Sequence, residues 1–291
     1  MQRLPVIGYP LGHTPTEGVL GAAFQAAGIE MEIERWERKP HQLTDAIAAL
    51  REEGIAGALV GSPHKERIPP LVNALSDDAR TSGAVNVVIR DGERLRGHNT
   101  DVDGVRAGLA AILPRVQGKW PRQAIVLGAG GGARAVVAVM IQTGFQRIVV
   151  FNRHLHRAEG LVSHFTRSAR HMELRAMPWH DAIIEVELSR APLLVNASGV
   201  GVGENETPIP ADLLPEGLYL LDLVLSRPTT PLMHEVRERG GTVANGQAAF
   251  LAGAAVTYRL LVGSEPSAEV LRSALATELG LPEEGIAVVG D

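Results

Sequence analysis

The run Gln123-Ala124-Ile125-Val126-Leu127 leads directly into Gly128-Ala129-Gly130-Gly131-Gly132-Ala133 and then into the helix-forming stretch Arg134 to Gln142. Strand, glycine turn and helix in that order make an anion-binding device. Gly128 permits the tight turn, Gly130 lets the backbone approach a pyrophosphate, Ala133 allows close helix–strand packing, and the helix N-terminus presents unpaired N–H groups. One βα unit later the strand Ile148–Phe151 ends in Asn152-Arg153-His154, where an Asp or Glu would bind a free ribose 2′-hydroxyl. Arg153 instead offers a planar fork to a 2′-phosphate, with Arg157 one helical turn further on. These residues predict a dinucleotide site for NADP in preference to NAD.

Three other segments set polar side chains beside Gly or Pro at the end of an apolar run. They are Gly8 to Thr16, Gly61 to Glu66, and Gly83-Ala84-Val85-Asn86 with Gly97-His98-Asn99-Thr100-Asp101. Parallel strands end on one edge of their sheet, so loops distant in sequence can share a cleft there. His13 and His64 read as locally hydrogen-bonded residues. No His and carboxylate grouping has metal-ligand spacing, and no metal is expected.

The elements that must position these residues follow from periodicity. In the first third, Leu4–Tyr9, Met31–Trp36 and Gly57–Val60 read as strands, and Thr16–Ala27, His41–Glu53 and Pro69–Leu75 as helices. That βαβ pattern implies mostly parallel strands. Asp91-Gly92 marks a hairpin between Ala84–Ile89 and Arg94–His98. A helix at Asp103–Leu113 precedes the polar, Pro-bounded stretch Pro114 to Pro121. Strands are then expected at Ala124–Leu127, Arg147–Phe151, Leu193–Asn196 and Tyr219–Asp222, and helices at Ala248–Leu261 and Ala268–Leu279. A chain of 291 residues exceeds the usual single-domain size of roughly 100 to 200.

Composition excludes several function classes. With Lys+Arg at 28 against Asp+Glu at 33, and no long basic run, the chain is not expected to bind nucleic acid. The cysteine count of zero removes disulfides and thiolate chemistry and suits a reducing compartment. The start MQRLPVIGYPLGH lacks a signal-peptide pattern and no apolar run has membrane-spanning length, so a cytoplasmic protein without a membrane partner is expected.

In order along the chain, these motifs resemble the shikimate dehydrogenase family. Its members carry G-x-P-x-x-H-S-x-S, N-V-T-x-P-x-K-E, G-A-x-N, G-x-N-T-D, G-A-G-G-x-x-R and N-R; the likeness extends to Asn196-Ala197-Ser198, Asp222-Leu223-Val224, Thr230-Pro231-Leu232 and Gly246-Gln247-Ala248-Ala249. The resemblance implies an α/β enzyme with a substrate domain at 1–104, a Rossmann-type doubly wound NADP domain at 105–243, and C-terminal helices at 244–291 packing on the first domain. It implies Lys65 and Asp101 as the catalytic pair, with Asn86 and Gln247 on substrate hydroxyls. Thr14 and Thr16 take the places of two serines that hold a substrate carboxylate. The cofactor would meet Gly128, Ala129, Gly130, Gly131, Gly132, Ala133, Asn152, Arg153, Arg157, Asn196, Ser198 and Val224.

Those residue types suit reduction of a ketone, because a Lys ammonium can stabilise charge growing on oxygen and deliver the proton while a carboxylate orients it. The departures concentrate around the substrate: N-V-T is Leu59-Val60-Gly61 here, and Glu17 and Leu20 replace the usual Pro and His. The expected substrate is therefore shikimate or a related cyclic hydroxy carboxylic acid, with quinate as second candidate, handled by a monomer or homodimer. A non-catalytic NADPH-binding regulator is the alternative class, and the retained Lys65 and Asp101 argue against it.

Overall fold

Short apolar strands separated by amphipathic helices can bury their side chains only by stacking helices on a sheet. The computed structural model, which describes residues 1–12, 14–112, 122–201 and 206–286, forms two such units. The first comprises Met1–Asp103 and Leu251–Ile286, and the second Gly104–Phe250. His13, Leu113 and the Pro114 to Pro121 stretch lie outside the described residues.

In the first unit the chain runs through β1 (Gln2–Gly8), α1 (Pro15–Ala26), β2 (Met31–Glu37), α2 (Leu43–Ala49), β3 (Gly57–Val60), β4 (Ala74–Leu75), α3 (Asp77–Ser82), β5 (Val87–Asp91) and β6 (Arg94–His98). The six strands form one sheet in the order β2-β1-β3-β5-β6-β4. The sheet is mostly parallel, as the βαβ pattern implies: β1 pairs parallel with β2 and β3, and β4 with β6, while only the hairpin strand β5 pairs antiparallel, with β3 and β6. The hairpin at Asp91-Gly92 produces the reversal, since Gly92 takes a left-handed conformation at φ +59°.

The expected helix at Pro69–Leu75 is corrected. Only a 3-10 turn forms at Pro69–Leu71, and Ala74–Leu75 pairs with Arg96–Gly97. Two adjacent prolines supply no N–H to an α-helical ladder, whereas Asn73 Oδ1 accepts from Leu95 N at 2.8 Å and draws the chain onto the sheet edge. One face of this sheet packs Ile7, Ile47, Leu50, Ala58, Val60, Ile68, Val88 and Leu95 into a buried core. Full burial of one such Leu or Ile contributes about 1.5 to 3 kcal/mol. Helix α4 (Asp101–Ile112) leaves this unit after its first turn.

The second unit adds β7 (Gln123–Leu127), α5 (Gly131–Gln142), β8 (Arg147–Asn152), α6 (Leu155–Phe165), β9 (Glu173–Pro178), α7 (Asp181–Leu188), β10 (Leu193–Asn196), β11 (Tyr219–Asp222), α8 (Pro231–Glu238) and β12 (Thr242–Ala244). Its strands are all parallel in the order β12-β11-β10-β7-β8-β9. This is the doubly wound Rossmann arrangement, with the order reversing between β7 and β10. Ala124–Leu127 and Ile148–Phe151 are buried at every position, as a sheet covered on both faces requires.

Strands β9 and β12 are the two sheet edges and were not expected from sequence. Helices α9 (Gly246–Val262) and α10 (Ala268–Leu279) close the chain. Within the first unit α10 packs against α1, and Tyr258 of α9 stacks on Phe24 of α1 at 5.5 Å between ring centroids.

Candidate functional site

Three strand ends of the first unit bring together residues scattered over the first hundred. Lys65 opens a 3-10 turn, Lys65–Arg67, just beyond β3, and its carbonyl accepts from Val85 N at 2.8 Å. Asn86 precedes β5, with its N–H on the His98 carbonyl and its own carbonyl accepting from Val60 N. Asp101 is the first residue of α4, immediately after β6 and the Asn99-Thr100 turn.

The side chains meet. Lys65 Nζ donates to Asp101 Oδ2 at 2.6 Å, and Asn86 Nδ2 donates to Asp101 Oδ1 and to Thr100 Oγ1, both at 2.9 Å. Asn86 Oδ1 accepts from Thr100 N at 2.8 Å, and Asp101 N donates to Asn99 Oδ1 at 3.2 Å. Side chains of Lys65 and Asp101 keep 22% and 27% exposure, so the pair remains open to a ligand.

A second set of contacts fixes this arrangement from behind. Thr100 Oγ1 shares a hydrogen bond with Thr257 Oγ1 of α9 at 2.9 Å, and Asn99 Nδ2 donates to Ser82 Oγ at 2.8 Å. Gly253 lies so close to the chain that a Cβ there would stand 3.0 Å from the Thr100 carbonyl oxygen. Asn99, Thr257 and Ser82 had no role assigned from sequence, because partners 17 and 157 residues apart leave no local pattern. His64 is fully buried, and its Nε2 donates to the Arg38 carbonyl at 2.7 Å. Burial lowers its basicity, the Arg38 carbonyl partly restores it, and Arg67 lowers it further.

At the start of α1, Thr14 holds the N-cap position but its side chain caps nothing, and its Oγ1 is buried without a hydrogen-bond partner. Thr16 is half-buried in the first turn of the same helix. A buried hydroxyl left unbonded costs about 1 to 3 kcal/mol.

In the second unit the glycine turn has the form expected. Gly128 takes φ +107°, and a Cβ on it would fall 2.5 Å from the Ala197 carbonyl oxygen, so no other residue fits. Ala129 is nearly buried, Gly130 is the N-cap of α5, and no side chain caps that helix. Gly131 and Gly132 open the helix, and Ala133 is buried against the sheet. Asn152 Nδ2 donates to the His154 carbonyl at 2.9 Å and closes the turn that projects Arg153 and Arg157 into solvent. Arg157 Nη2 stands 4.0 Å from the point where a Cβ of Gly130 would lie, linking the arginine fork to the glycine turn.

Asn196 and Ser198 are placed differently from simple ligands. Asn196 Nδ2 donates to Asp222 Oδ1 and to the Val200 carbonyl at 2.9 Å, and its Oδ1 accepts from Ser198 N and Oγ. Asp222 also accepts from Val224 N at 3.1 Å and Thr230 Oγ1 at 2.7 Å. Burial, the dominant influence, raises the Asp222 carboxyl above its ordinary value, opposed by bonds from Thr230, the Val224 backbone and Asn196. Gln247, fully buried, accepts from Asn245 Nδ2 at 3.1 Å and keeps a buried Nε2 without a partner. Among the described residues no cluster of metal-ligating side chains is present, and no helix is long and apolar enough to cross a membrane.

A Rossmann unit with a cofactor turn, and a separate α/β unit with an accessible Lys–Asp pair, define a two-unit nucleotide-dependent α/β class. The model for the shikimate dehydrogenase substrate binding domain matches residues 6–88, and that for shikimate / quinate 5-dehydrogenase matches residues 113–200. The NADP(+) shikimate dehydrogenase of Geobacter metallireducens is 34% identical over 270 residues, covering 92% of this chain and 94% of the relative. That of Methanopyrus kandleri is 34% identical, with 94% of each chain covered. Shikimate 5-dehydrogenase from Thermus thermophilus, solved with NADP(H) and shikimate, superposes with a TM-score of 0.78 at 29% identity over 96% of this chain and 100% of its own. The chain belongs to the shikimate dehydrogenase family.

Proposed function

We propose that this protein catalyses reversible, NADP-dependent hydride transfer between a 3-dehydroshikimate-type ketone and shikimate or a related cyclic hydroxy acid. The observation that carries the reading is the Lys65–Asp101–Asn86 constellation, an accessible acid–base pair oriented by an amide. Support comes from the relatives named NADP(+) shikimate dehydrogenases and from the complex of the Thermus thermophilus enzyme with NADP(H) and shikimate.

The cofactor is NADP, and when bound it supplies the hydride. Residues Gly128 to Ala133 would hold its pyrophosphate through backbone N–H groups at the α5 N-terminus, and Asn152, Arg153 and Arg157 its 2′-phosphate. Asn196 and Ser198, committed to one another and to Asp222, would shape the turns after β10 and β11 so that backbone near Ser198 and Val224 meets the cofactor.

In the reducing direction the Lys65 ammonium donates its proton to the substrate oxygen as that oxygen gains negative charge. In the oxidising direction Lys65 takes the hydroxyl proton. Asp101 keeps the amine aimed at that oxygen, and Asn86 holds the carboxylate still while a lone pair of its carbonyl remains for a substrate hydroxyl. Thr14 and Thr16 hydroxyls would grip the substrate carboxylate, and the unpartnered Gln247 Nε2 would donate to a ring hydroxyl.

The reading assigns residues 1–104 and 244–291 to substrate and 105–243 to cofactor, in a cytoplasmic monomer or homodimer; the cysteine-free composition suits a reducing compartment. The deciding experiment is a panel of shikimate, quinate and other cyclic hydroxy acids with NADP and with NAD, run beside Lys65→Ala. Turnover with NADP that the variant abolishes is expected. Turnover that survives in Lys65→Ala would overturn the chemistry, and tight NADPH binding with silence across the panel would favour a regulator.

A further inference from the structure

Arg35 on β2 makes three bonds that all serve one short segment. Its Nη1 pairs with Glu17 Oε1 of α1 at 2.5 Å, and its Nη2 donates to the carbonyls of Leu11 at 2.6 Å and Gly12 at 3.0 Å. Leu11 N in turn donates to Glu37 Oε2, two residues along the same strand, at 3.4 Å. Strand alternation puts Ile33, Arg35 and Glu37 on one face of the sheet edge, and Ile33 reaches within 3.9 Å of a Cβ position on Gly21, in the middle of α1. That face therefore lies under α1, and a guanidinium emerging from it ties the loop ahead of α1 to the helix's own first turn.

Thr14, two residues beyond Gly12 in sequence, has a buried hydroxyl with no partner. The same first turn carries Glu17, an acidic side chain at a helix N-terminus. A carboxylate there is favoured by the helix dipole, and it repels a second carboxylate brought to the same turn. Arg35 cancels that repulsion while its second nitrogen fixes the Leu11–Gly12 backbone ahead of α1.

We propose that Arg35 is a positioning and charge-balancing residue for the anionic end of the substrate, acting through Glu17 and the Leu11–Gly12 backbone and not through the reacting carbon. This rests on the proposed use of Thr14 and Thr16 for a carboxylate; it adds Arg35, which the motifs do not contain, and gives a role to Glu17, which stands where the family has Pro. It also accounts for the acidic Glu17 beside that turn, because Glu17 anchors the guanidinium that holds the loop.

The test is a double-mutant cycle on the full chain with the best hydroxy acid from the panel. Arg35→Gln is expected to raise the KM for the acid about tenfold, the size of one lost charge-assisted hydrogen bond network, with kcat and the KM for NADP unchanged. Arg35→Gln combined with Glu17→Gln is expected to recover part of that loss, since the uncompensated carboxylate is gone. An unchanged KM, a fall in kcat alone, or a double variant no better than the single would overturn the proposal.

Amide hydrogen exchange over residues 10–17 gives a readout independent of turnover: Arg35→Gln should speed it about tenfold or more, and unchanged exchange would overturn the clamp. If the parent protein turns over no acid in the panel, the functional reading fails while the exchange measurement still decides the clamp. Arg35→Lys, which keeps the charge but not the fork, should fall between parent and Arg35→Gln in both measurements.

Discussion

Each unit carries an aspartate at the C-terminal end of its sheet, and each aspartate is held by an asparagine amide. Asp101 faces a lysine, keeps part of its carboxylate open to solvent, and takes Asn86 on its other oxygen. Asp222 is completely buried and surrounded by neutral donors, Asn196, Thr230 and the Val224 amide, with burial raising its carboxyl. An accessible, charge-paired carboxylate can take part in proton movement, whereas a buried carboxylate saturated by fixed dipoles holds loops in place. On the proposed reading the same residue type serves reaction in one unit and architecture in the other, and solvent access together with the partner's charge makes the difference.

The most severe way to break this comparison is on the reactive side. Lys65→Ala should lower kcat roughly 10²- to 10⁴-fold, the range for loss of a positioned acid or base, with NADPH affinity and thermal stability close to those of the parent. Steady-state kinetics beside a thermal melt check both halves of that statement.

On the architectural side the expected loss is stability. Asp222→Ala leaves the donors of Asn196 Nδ2, Thr230 Oγ1 and Val224 N without their acceptor, at a cost of about 3 kcal/mol or more, measurable by urea unfolding. Asp222→Asn, which preserves the shape, should cost less. A smaller loss for Asp222→Ala than for Asp101→Ala would reverse the roles given to the two aspartates.

A smaller effect is expected at the cofactor fork. Arg153→Ala or Arg157→Ala should weaken NADPH binding about tenfold and leave NADH binding unchanged, because only the 2′-phosphate loses a partner. Fluorescence titration with both nucleotides distinguishes this from a general loss of the pocket.

The smallest effect is pH dependence, and it has opposite signs in the two units. His64 has a lowered folded pKa, so the unfolded chain binds the proton first; its stability contribution is fully present above about pH 6.5 and is lost as pH falls through the folded value. Asp222 has a raised folded pKa, so its contribution is present below about pH 3.8 and is lost as pH rises through the folded value. Each slope is at most about 1.4 kcal/mol per pH unit for one proton. Urea unfolding against pH should show stability rising more weakly with pH in His64→Gln than in the parent, and more steeply in Asp222→Asn.

How much of this was legible in the sequence depends on the range of the interactions. The turn from Gln123 through Ala133 and the fork at Arg153 and Arg157 are contiguous, and their conformations follow from glycine, strand and helix chemistry within a dozen residues. Lys65 and Asp101 were legible only through the family's motif order, since nothing local brings a residue after β3 to one after β6. The Pro69–Leu75 misreading and the unexpected β9 and β12 share a cause. These are short or half-exposed edge segments whose strand character is supplied by the neighbour they pair with.

The amino-acid order by itself determined the strand–glycine–helix turn, the family, and the residue types available for proton and phosphate chemistry, because each is written in consecutive residues or in the order of motifs. Tertiary structure alone decided that Asn86 bridges Thr100 and Asp101, that Asn196 spends its amide on Asp222, and that Arg35 reaches Glu17. The Asn86–Thr100, Asn196–Asp222 and Arg35–Glu17 bonds join residues 14 to 26 positions apart, and only the pairing of strands sets which side chains arrive at the same place.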